Sequence, residues 1–151
     1  MWVRGPQRAL GYLDPAHTAE AFDAEGWFRT GDMGFVAPDG TVTMTGRVKE
    51  IINRGGEKLS SREIEDALAA HPGVVEVAVV AAPHPRLGEQ PAAFVLGKPG
   101  VTEADLGAFL ADAGLAPQKI PRVWRFVDSL PRTASGKVVK GQLQAQLTEG
   151  T

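Results

Sequence analysis

The sequence predicts an α+β fold: a short three-stranded sheet covered by helices, joined to a β-hairpin and preceded by a β-rich stretch. Three observations predict it. Ser60 stands three residues before Glu63, the spacing of a capping box, and Ile64, Ala67, Leu68 and His71 then fall on one helical face. Val74 to Ala82 is almost uninterrupted Val and Ala, the composition of a buried strand. Thr102 with Asp105 starts another helix, which carries Leu106, Phe109, Leu110 and Ala113 and stops at Gly114.

Taken in order, residues 1–45 read as short strand-like pieces with turns between them. Trp2–Arg4 runs into Gly5-Pro6 and Gly11–Leu13 into Asp14-Pro15, while Thr18–Phe22 suits a brief helix. Trp27–Arg29 precedes Thr30-Gly31-Asp32. Phe35-Val36 and Val42–Met44 flank Pro38-Asp39-Gly40, a strong hairpin turn signal. This stretch has few long apolar segments and would struggle to bury a core alone. From Gly46 the character changes. Val48, Glu50 and Ile52, with the segment after Gly55-Gly56, read as a hairpin. Pro72-Gly73 stops the helix that follows, Ala92–Leu96 and Arg122–Val127 supply two more strands, and Val139, Leu143 and Leu147 mark a last helix. After the hairpin the order is α-β-β-α-β-α, long enough to close a core. The boundary falls at residues 46–49, with 1–45 before it and 50–151 after it.

Composition narrows the class. A chain of 151 residues suits one domain with a real core and is marginal for two. The formal net charge is −2, with no basic block, which argues against a nucleic-acid partner. No apolar run approaches the roughly 20 residues that span a bilayer. Met1–Pro6 also lacks the apolar core of a signal peptide, so a cytoplasmic protein is expected. The absence of Cys excludes disulfides, thiol catalysis and thiolate metal sites, and three scattered His make poor metal ligands. No residue is assigned to a metal.

Three segments carry candidate chemistry: Gly26–Asp32, Gly46–Lys58 continuing to Glu63-Ile64-Glu65, and Leu130–Lys137. In the third, Lys137 follows Ser-Gly in a Pro-containing turn ahead of a helix, an exposed and flexible loop by this reading. It is either a solvated surface Lys or a mobile positive charge delivered to a phosphate or carboxylate. It is not a P-loop, because position 131 is Pro and position 138 is Val. Gly55 and Gly56 sit at a hairpin tip. Either the turn needs positive φ, or the backbone must approach a ligand closely. Thr30-Gly31-Asp32 after an aromatic strand reads locally as an Asx-type turn.

In this order and at these separations, the three segments resemble the adenylate-forming superfamily of acyl-CoA synthetases, aryl-acid adenylating enzymes, peptide-synthetase adenylation domains and firefly-type luciferases. Thr30-Gly31-Asp32 resembles its Thr-Gly-Asp motif. Gly46-Arg47 with Glu63-Ile64-Glu65 resembles its hinge-and-hairpin motif, and Pro131–Lys137 its terminal Lys motif. The likeness covers nearly the whole chain, including Gly5-Pro6, Gly11-Tyr12 and His71–Val74. It implies that residues 1–45 are the last strip of a large AMP-binding domain, 46–49 a hinge, and 50–151 a small C-terminal domain. The family joins a carboxylic acid to ATP, giving acyl-AMP and pyrophosphate, usually with Mg²⁺. A thiol, from coenzyme A or a carrier-protein pantetheine, then displaces AMP.

Carried onto this chain, the resemblance implies that Asp32 accepts from the ribose hydroxyls and Arg47 contacts ribose or phosphate oxygen. Lys137 reaches the acid carboxylate and the α-phosphate. Lys49 lies at the hinge. Gly55 and Gly56 leave room for pantetheine, and Lys58 meets coenzyme A phosphates. The phosphate loop, the acid pocket and most Mg²⁺ contacts belong upstream, so this polypeptide alone is expected not to adenylate. His84, Glu89, Trp27 and Phe28 read as structural, and His17 and His71 as surface or cap residues. Residues 52–58 and 115–121 also look similar to dihydroxybenzoate-activating enzymes, which keeps a carrier-loading aryl-acid AMP ligase beside the coenzyme A reading. A non-catalytic binding module derived from the family is the third alternative.

Overall fold

Short pairings organise Met1–Lys49, the first of two units into which the chain divides in this computed structural model; the second is Glu50–Thr151, and residues 1–148 are described. Strand β1 (Trp2–Val3) pairs antiparallel with β2 (Phe28–Arg29), and helix α1 (Pro15–Ala21) lies between them in sequence. Asp14 caps α1 by accepting from Ala16 N–H at 2.8 Å, and Pro15 opens the helix where no N–H is required. Gly11–Leu13, expected as a strand, is not one. Tyr12 N–H instead donates to Thr18 Oγ1 at 2.8 Å, so this segment folds against the helix it precedes.

Strands β3 (Asp32–Val36) and β4 (Val42–Arg47) form an antiparallel ribbon from Asp32↔Arg47 to Val36↔Val42. The turn at its tip is the one the sequence signals. Gly40 N–H donates to Ala37 O at 2.9 Å, Ala37 N–H to Thr41 O at 2.8 Å, and Gly40 sits at φ +85°. The backbone N–H of Thr41 also bonds the Asp39 carboxylate, and that bond holds Asp39 below the usual carboxylate range. No residue of this first unit is buried.

Val48–Glu50, predicted as strand, forms one 3₁₀ turn. The ribbon is already spent there: Arg47 lies opposite Asp32, the first residue of β3, and Val48 N–H donates to Gly31 O at 2.8 Å. The predicted hairpin then follows as β5 (Ile51–Arg54) and β6 (Glu57–Ser60). Ser60 caps α2 (Ser61–Ala69), which buries Ile64 and Leu68. Strands β7 (Val74–His84) and β8 (Gly88–Gly97) pair antiparallel, α3 (Glu103–Asp112) starts at the complete Thr102–Asp105 capping box, β9 (Val123–Phe126) runs parallel to β8, and α4 (Lys140–Thr148) ends the described chain. Hydrogen bonds from Thr102 lower the Asp105 pKa, as that box requires.

The sheet has β8 at its centre. On one side it pairs with β7 along its length; on the other it meets β5 only at Arg54↔Gly88 and then β9 from Ala92 to Val95. The hairpin is therefore attached to a three-stranded sheet by a single register pair. Pro91, which has no N–H to give, falls in the gap between these two partners. That gap lets β8 begin at Gly88, well before the expected Ala92.

Both faces of the sheet are covered, which is why β7 reads as continuous Val and Ala and not as an alternation. Val79, Ala93 and Val95 pack with Ile52, Leu59, Ile64, Leu68, Leu106 and Leu110 on the α2–α3 side. Ala78, Val80, Ala82, Ala92 and Phe94 pack with Leu130 and Leu143 on the α4 side. Each fully buried Val, Leu, Ile or Phe among them contributes roughly 1.5–3 kcal/mol relative to exposure.

Candidate functional site

The open end of the β3–β4 ribbon brings two expected residues together. Asp32 and Arg47 are cross-strand partners, and Arg47 Nε lies 2.9 Å from Asp32 Oδ1. Gly31, at φ +73°, turns the chain into β3, and Thr30 Oγ1 accepts from Asp32 N–H at 3.0 Å. The carboxylate is thus fixed by a turn before it and a cation across from it. Only one of its oxygens is engaged by Arg47, so lone pairs remain for further donors.

Gly55 and Gly56 take φ +60° and +92° and form the two-residue loop closed by Arg54↔Glu57. Positive φ at both central residues defines a type I′ turn, and that conformation alone accounts for both glycines. A Cβ on Gly55 would meet Leu87 Cδ2 at 3.1 Å, whereas one on Gly56 would meet open space. Lys58 projects from β6 beside this turn and is exposed; Lys49 is exposed within the 3₁₀ turn where the two units divide. The Glu89 carboxylate accepts from Asn53 N–H at 2.7 Å and so ties β5 to β8, a structural role.

Lys137 is exposed, as expected, yet its loop is closely bonded within itself. Gly136 N–H donates to Thr133 O at 2.9 Å, Thr133 N–H to Lys137 O at 2.8 Å, and Gly136 sits at φ +84°. This repeats the turn at Ala37–Thr41 bond for bond. Lys137 N–H adds a bond to Thr133 Oγ1 at 3.1 Å, and Val139 N–H closes the base on Pro131 O at 2.8 Å. The flexible loop of the sequence reading is therefore a small hydrogen-bonded hairpin, because Ser135-Gly136 supplies the same turn chemistry as Asp39-Gly40. No hydrogen bond or ion pair engages the Lys137 ammonium among the described residues.

Its neighbours behave differently. Arg132 donates to Gly136 O and to the Glu76 carboxylate on β7. Lys140 Nζ lies 2.8 Å from Glu65 Oε1, 3.1 Å from Ser61 Oγ and 3.6 Å from Glu50 Oε2. Burial raises the Glu65 pKa, against the opposing pull of Lys140 and of the Val79 N–H it accepts at 2.6 Å. Sequence reasoning missed this network. One signal was available: Lys140 opens a helix, where the macrodipole disfavours a cation, so a local anion should have been sought. Nothing local pointed from Arg132 to Glu76, 56 positions away.

The remaining candidates stay structural. His84 Nδ1 accepts from Arg86 and Leu87 N–H at 3.2 and 3.1 Å, and His71 Nδ1 accepts from Gly73 N–H at 3.0 Å while its ring stands edge-on to Phe109. Trp27 lies under Arg4, and Phe28 packs on Phe22. His17 stands edge-on to Tyr12. No group of His, Asp or Glu among the described residues could hold a metal ion, and no described helix is long and apolar enough to cross a membrane. Asp32 and Arg47 belong to the first unit, and Gly55, Gly56, Lys58 and Lys137 to the second.

Residues 63–137, which run from α2 through the Lys137 hairpin, match the model of the AMP-binding enzyme C-terminal domain. The chain belongs to the adenylate-forming superfamily. It is 48% identical, over 95% of its length, to a 3-[(3aS,4S,7aS)-7a-methyl-1,5-dioxo-octahydro-1H-inden-4-yl]propanoyl:CoA ligase of Rhodococcus jostii. Identity is 41% over 97% of the chain to the 2,3-dihydroxybenzoate-AMP ligase of Bacillus subtilis. Among solved structures, ATP-bound MatB from Rhodopseudomonas palustris matches 96% of the chain at 38% identity with a TM-score of 0.86, and the chain covers 29% of it. The chain spans 28% of the length of each of these two ligases. The family assignment agrees with the resemblance read from its three motifs, and the mixed α+β architecture agrees with the predicted class.

Proposed function

We propose that this chain supplies the mobile small domain and adjoining strip of an ATP-dependent acid–thiol ligase, in which Lys137 assists formation of acyl-AMP. The observation that carries this reading is the Lys137 ammonium, engaged by none of the described residues, on an exposed hydrogen-bonded hairpin whose two neighbouring cations are both engaged by carboxylates. In adenylation, a carboxylate oxygen attacks the α-phosphorus of ATP and pyrophosphate leaves. Two anions must approach each other, and Lys137 would bridge them as charge gathers at phosphorus. Asp32 would accept from the vicinal ribose hydroxyls, its orientation fixed by Arg47, which would also face ribose or phosphate oxygen.

In the second half-reaction a thiol sulfur attacks the acyl carbon and AMP leaves. The chain divides beside Lys49, which supports a hinge over 46–49 that withdraws Lys137 and presents Gly55-Gly56 instead. The bare glycine tip would pass pantetheine, with Lys58 toward coenzyme A phosphates. Residues 1–45 would then be the closing strip of a large AMP-binding domain; their lack of any buried residue supports this. Coenzyme A is the favoured thiol, since the Rhodococcus relative is named a CoA ligase. A carrier-protein pantetheine is the second reading, because the Bacillus relative is named for an AMP ligase. Mg²⁺ accompanies ATP by family resemblance, yet no described residues form a set for it, so no step here is assigned to it. A cytoplasmic location suits these substrates.

The test grafts this chain onto the amino-terminal part of the Rhodococcus ligase in place of the stretch it matches. Lys137→Ala should lower acid-dependent ATP–pyrophosphate exchange by roughly 10²–10³-fold while sparing thioester formation from supplied acyl-AMP. Equal loss in both half-reactions rejects the assigned role. The unfused 151-residue chain should show no pyrophosphate exchange at all.

A further inference from the structure

The Lys137 hairpin is closed by its own backbone bonds, but those bonds do not aim it. The pairing of Arg132 with Val138 is an isolated bridge outside every named strand, so no sheet ladder fixes the direction in which the tip points. At its base Leu130 and Val138 pack into the apolar layer on the α4 side of the sheet, and nearer the tip the polar tie to the sheet among the described residues is Arg132. Arg132 donates through Nη1 to the carbonyl of Gly136, the residue just before Lys137, and through Nη2 to the carboxylate of Glu76. Glu76 pairs with Leu96 in the β7–β8 ladder and shares the face of Ala78, Val80 and Ala82, which packs against α4. A continuous path thus runs from the rigid sheet through Glu76 and Arg132 to the peptide that carries Lys137. At the other flank, Lys140 is held by Glu65 and Ser61 on α2.

We propose that Arg132, braced by Glu76, is a positioning residue for Lys137: it sets where the ammonium stands during acyl-AMP formation without touching the substrates itself. This rests on the adenylation role proposed above for Lys137. The chemistry suits Arg specifically. Two acceptors of different kind, a peptide carbonyl and a carboxylate, are met by separate nitrogens of one planar fork, a task that a single ammonium performs poorly. Arg132 and Glu76 are both partly exposed, 43% and 31%, so the pair adds little to global stability, and its loss should be read in rate and not in unfolding.

The grafted ligase tests this with a readout that a purely structural role would not move. Arg132→Ala should lower ATP–pyrophosphate exchange by roughly 10–10²-fold, the scale of a misplacement near 1 Å, and leave thioester formation from supplied acyl-AMP unchanged. Arg132→Lys should recover only part of the rate. Glu76→Gln should reproduce the loss, and combining it with Arg132→Ala should add little. In a Lys137→Ala background, Arg132→Ala should have no further effect. A full additional loss there, or an undiminished rate in Arg132→Ala alone, overturns the proposal. In the 151-residue chain itself, Arg132→Ala and Glu76→Gln should both speed amide exchange at Lys137, whose N–H is bonded to Thr133 Oγ1; unchanged exchange in both also overturns it. Should Lys137→Ala leave adenylation intact while exchange still rises, the clamp stands and the catalytic reading of Lys137 falls.

Discussion

The two units use the same local devices and reach different ends. Met1–Lys49 has a capped helix, two antiparallel pairings and a tight turn at Gly40, yet none of its residues is buried. Trp2, Phe35 and Val36 are more than half exposed there, and Leu10 and Leu13 fully so. Glu50–Thr151 has the same kinds of caps and turns, but lays its sheet between two apolar layers. Caps and turns choose local conformation; burial against a second layer supplies most of the stability. The candidate residues divide accordingly. Lys137 stands on a hairpin braced to a packed sheet, whereas Asp32 and Arg47 stand on a ribbon with no core beneath it.

The largest effect that sharpens this contrast is Phe94→Ala. Phe94 is 1% exposed and packs in one cluster with Leu130 and Leu143, so its truncation should cost roughly 3–5 kcal/mol in urea unfolding. An unchanged midpoint would break the claim that the second unit holds the stability. A smaller effect is expected at the network beside it. Burial raises the Glu65 pKa, so the folded state holds that proton more tightly than the unfolded chain does. The stability linked to Glu65 is therefore fullest at pH below its ordinary value and declines as pH rises through the folded midpoint. Lys140 opposes the shift, so Lys140→Met should move the Glu65 midpoint further up and carry the decline to higher pH. Carboxyl NMR titration reads this directly; a midpoint that falls contradicts it.

How much of this was legible follows the same division. The caps at Ser60 and Thr102, the buried run at Val74–Ala82 and the turn at Pro38-Asp39-Gly40 were readable because each rests on neighbours in sequence. The failures were tertiary. Val48–Glu50 alternates like a strand but lies beyond the Asp32↔Arg47 end of the β3–β4 pairing, and Gly11–Leu13 spends its backbone on Thr18. The strand read as Ala92–Leu96 begins earlier, at Gly88, because nothing local shows that two different strands share that edge of β8. At the site, the family resemblance pointed to Asp32, Arg47 and Lys137 one by one. It gave neither the Asp32–Arg47 pair nor the Arg132–Glu76 brace, since both depend on register between distant segments. The Lys137 turn is the instructive case. Ser135-Gly136 carries the signal of Asp39-Gly40, but without flanking alternation it reads as a loop.

The smallest expected effect is the most telling about the first unit. Phe35 lies on β3, paired with Thr43, and is 57% exposed. A surface side chain that is more than half exposed changes stability by no more than about 0.5 kcal/mol, so Phe35→Ala should leave the urea unfolding of this chain where it was. The same reasoning predicts fast amide exchange along β3 and β4 and slow exchange along β7 and β8, because local opening costs little where no apolar layer has to be uncovered. Grafted onto the amino-terminal part of the Rhodococcus ligase, the substitution should become costly if that body covers the ribbon, as the proposed domain arrangement requires. A null effect in both settings would leave the ribbon's apolar side chains with no packing role, and Asp32 and Arg47 would then lack the rigid support that the nucleotide contacts proposed for them demand.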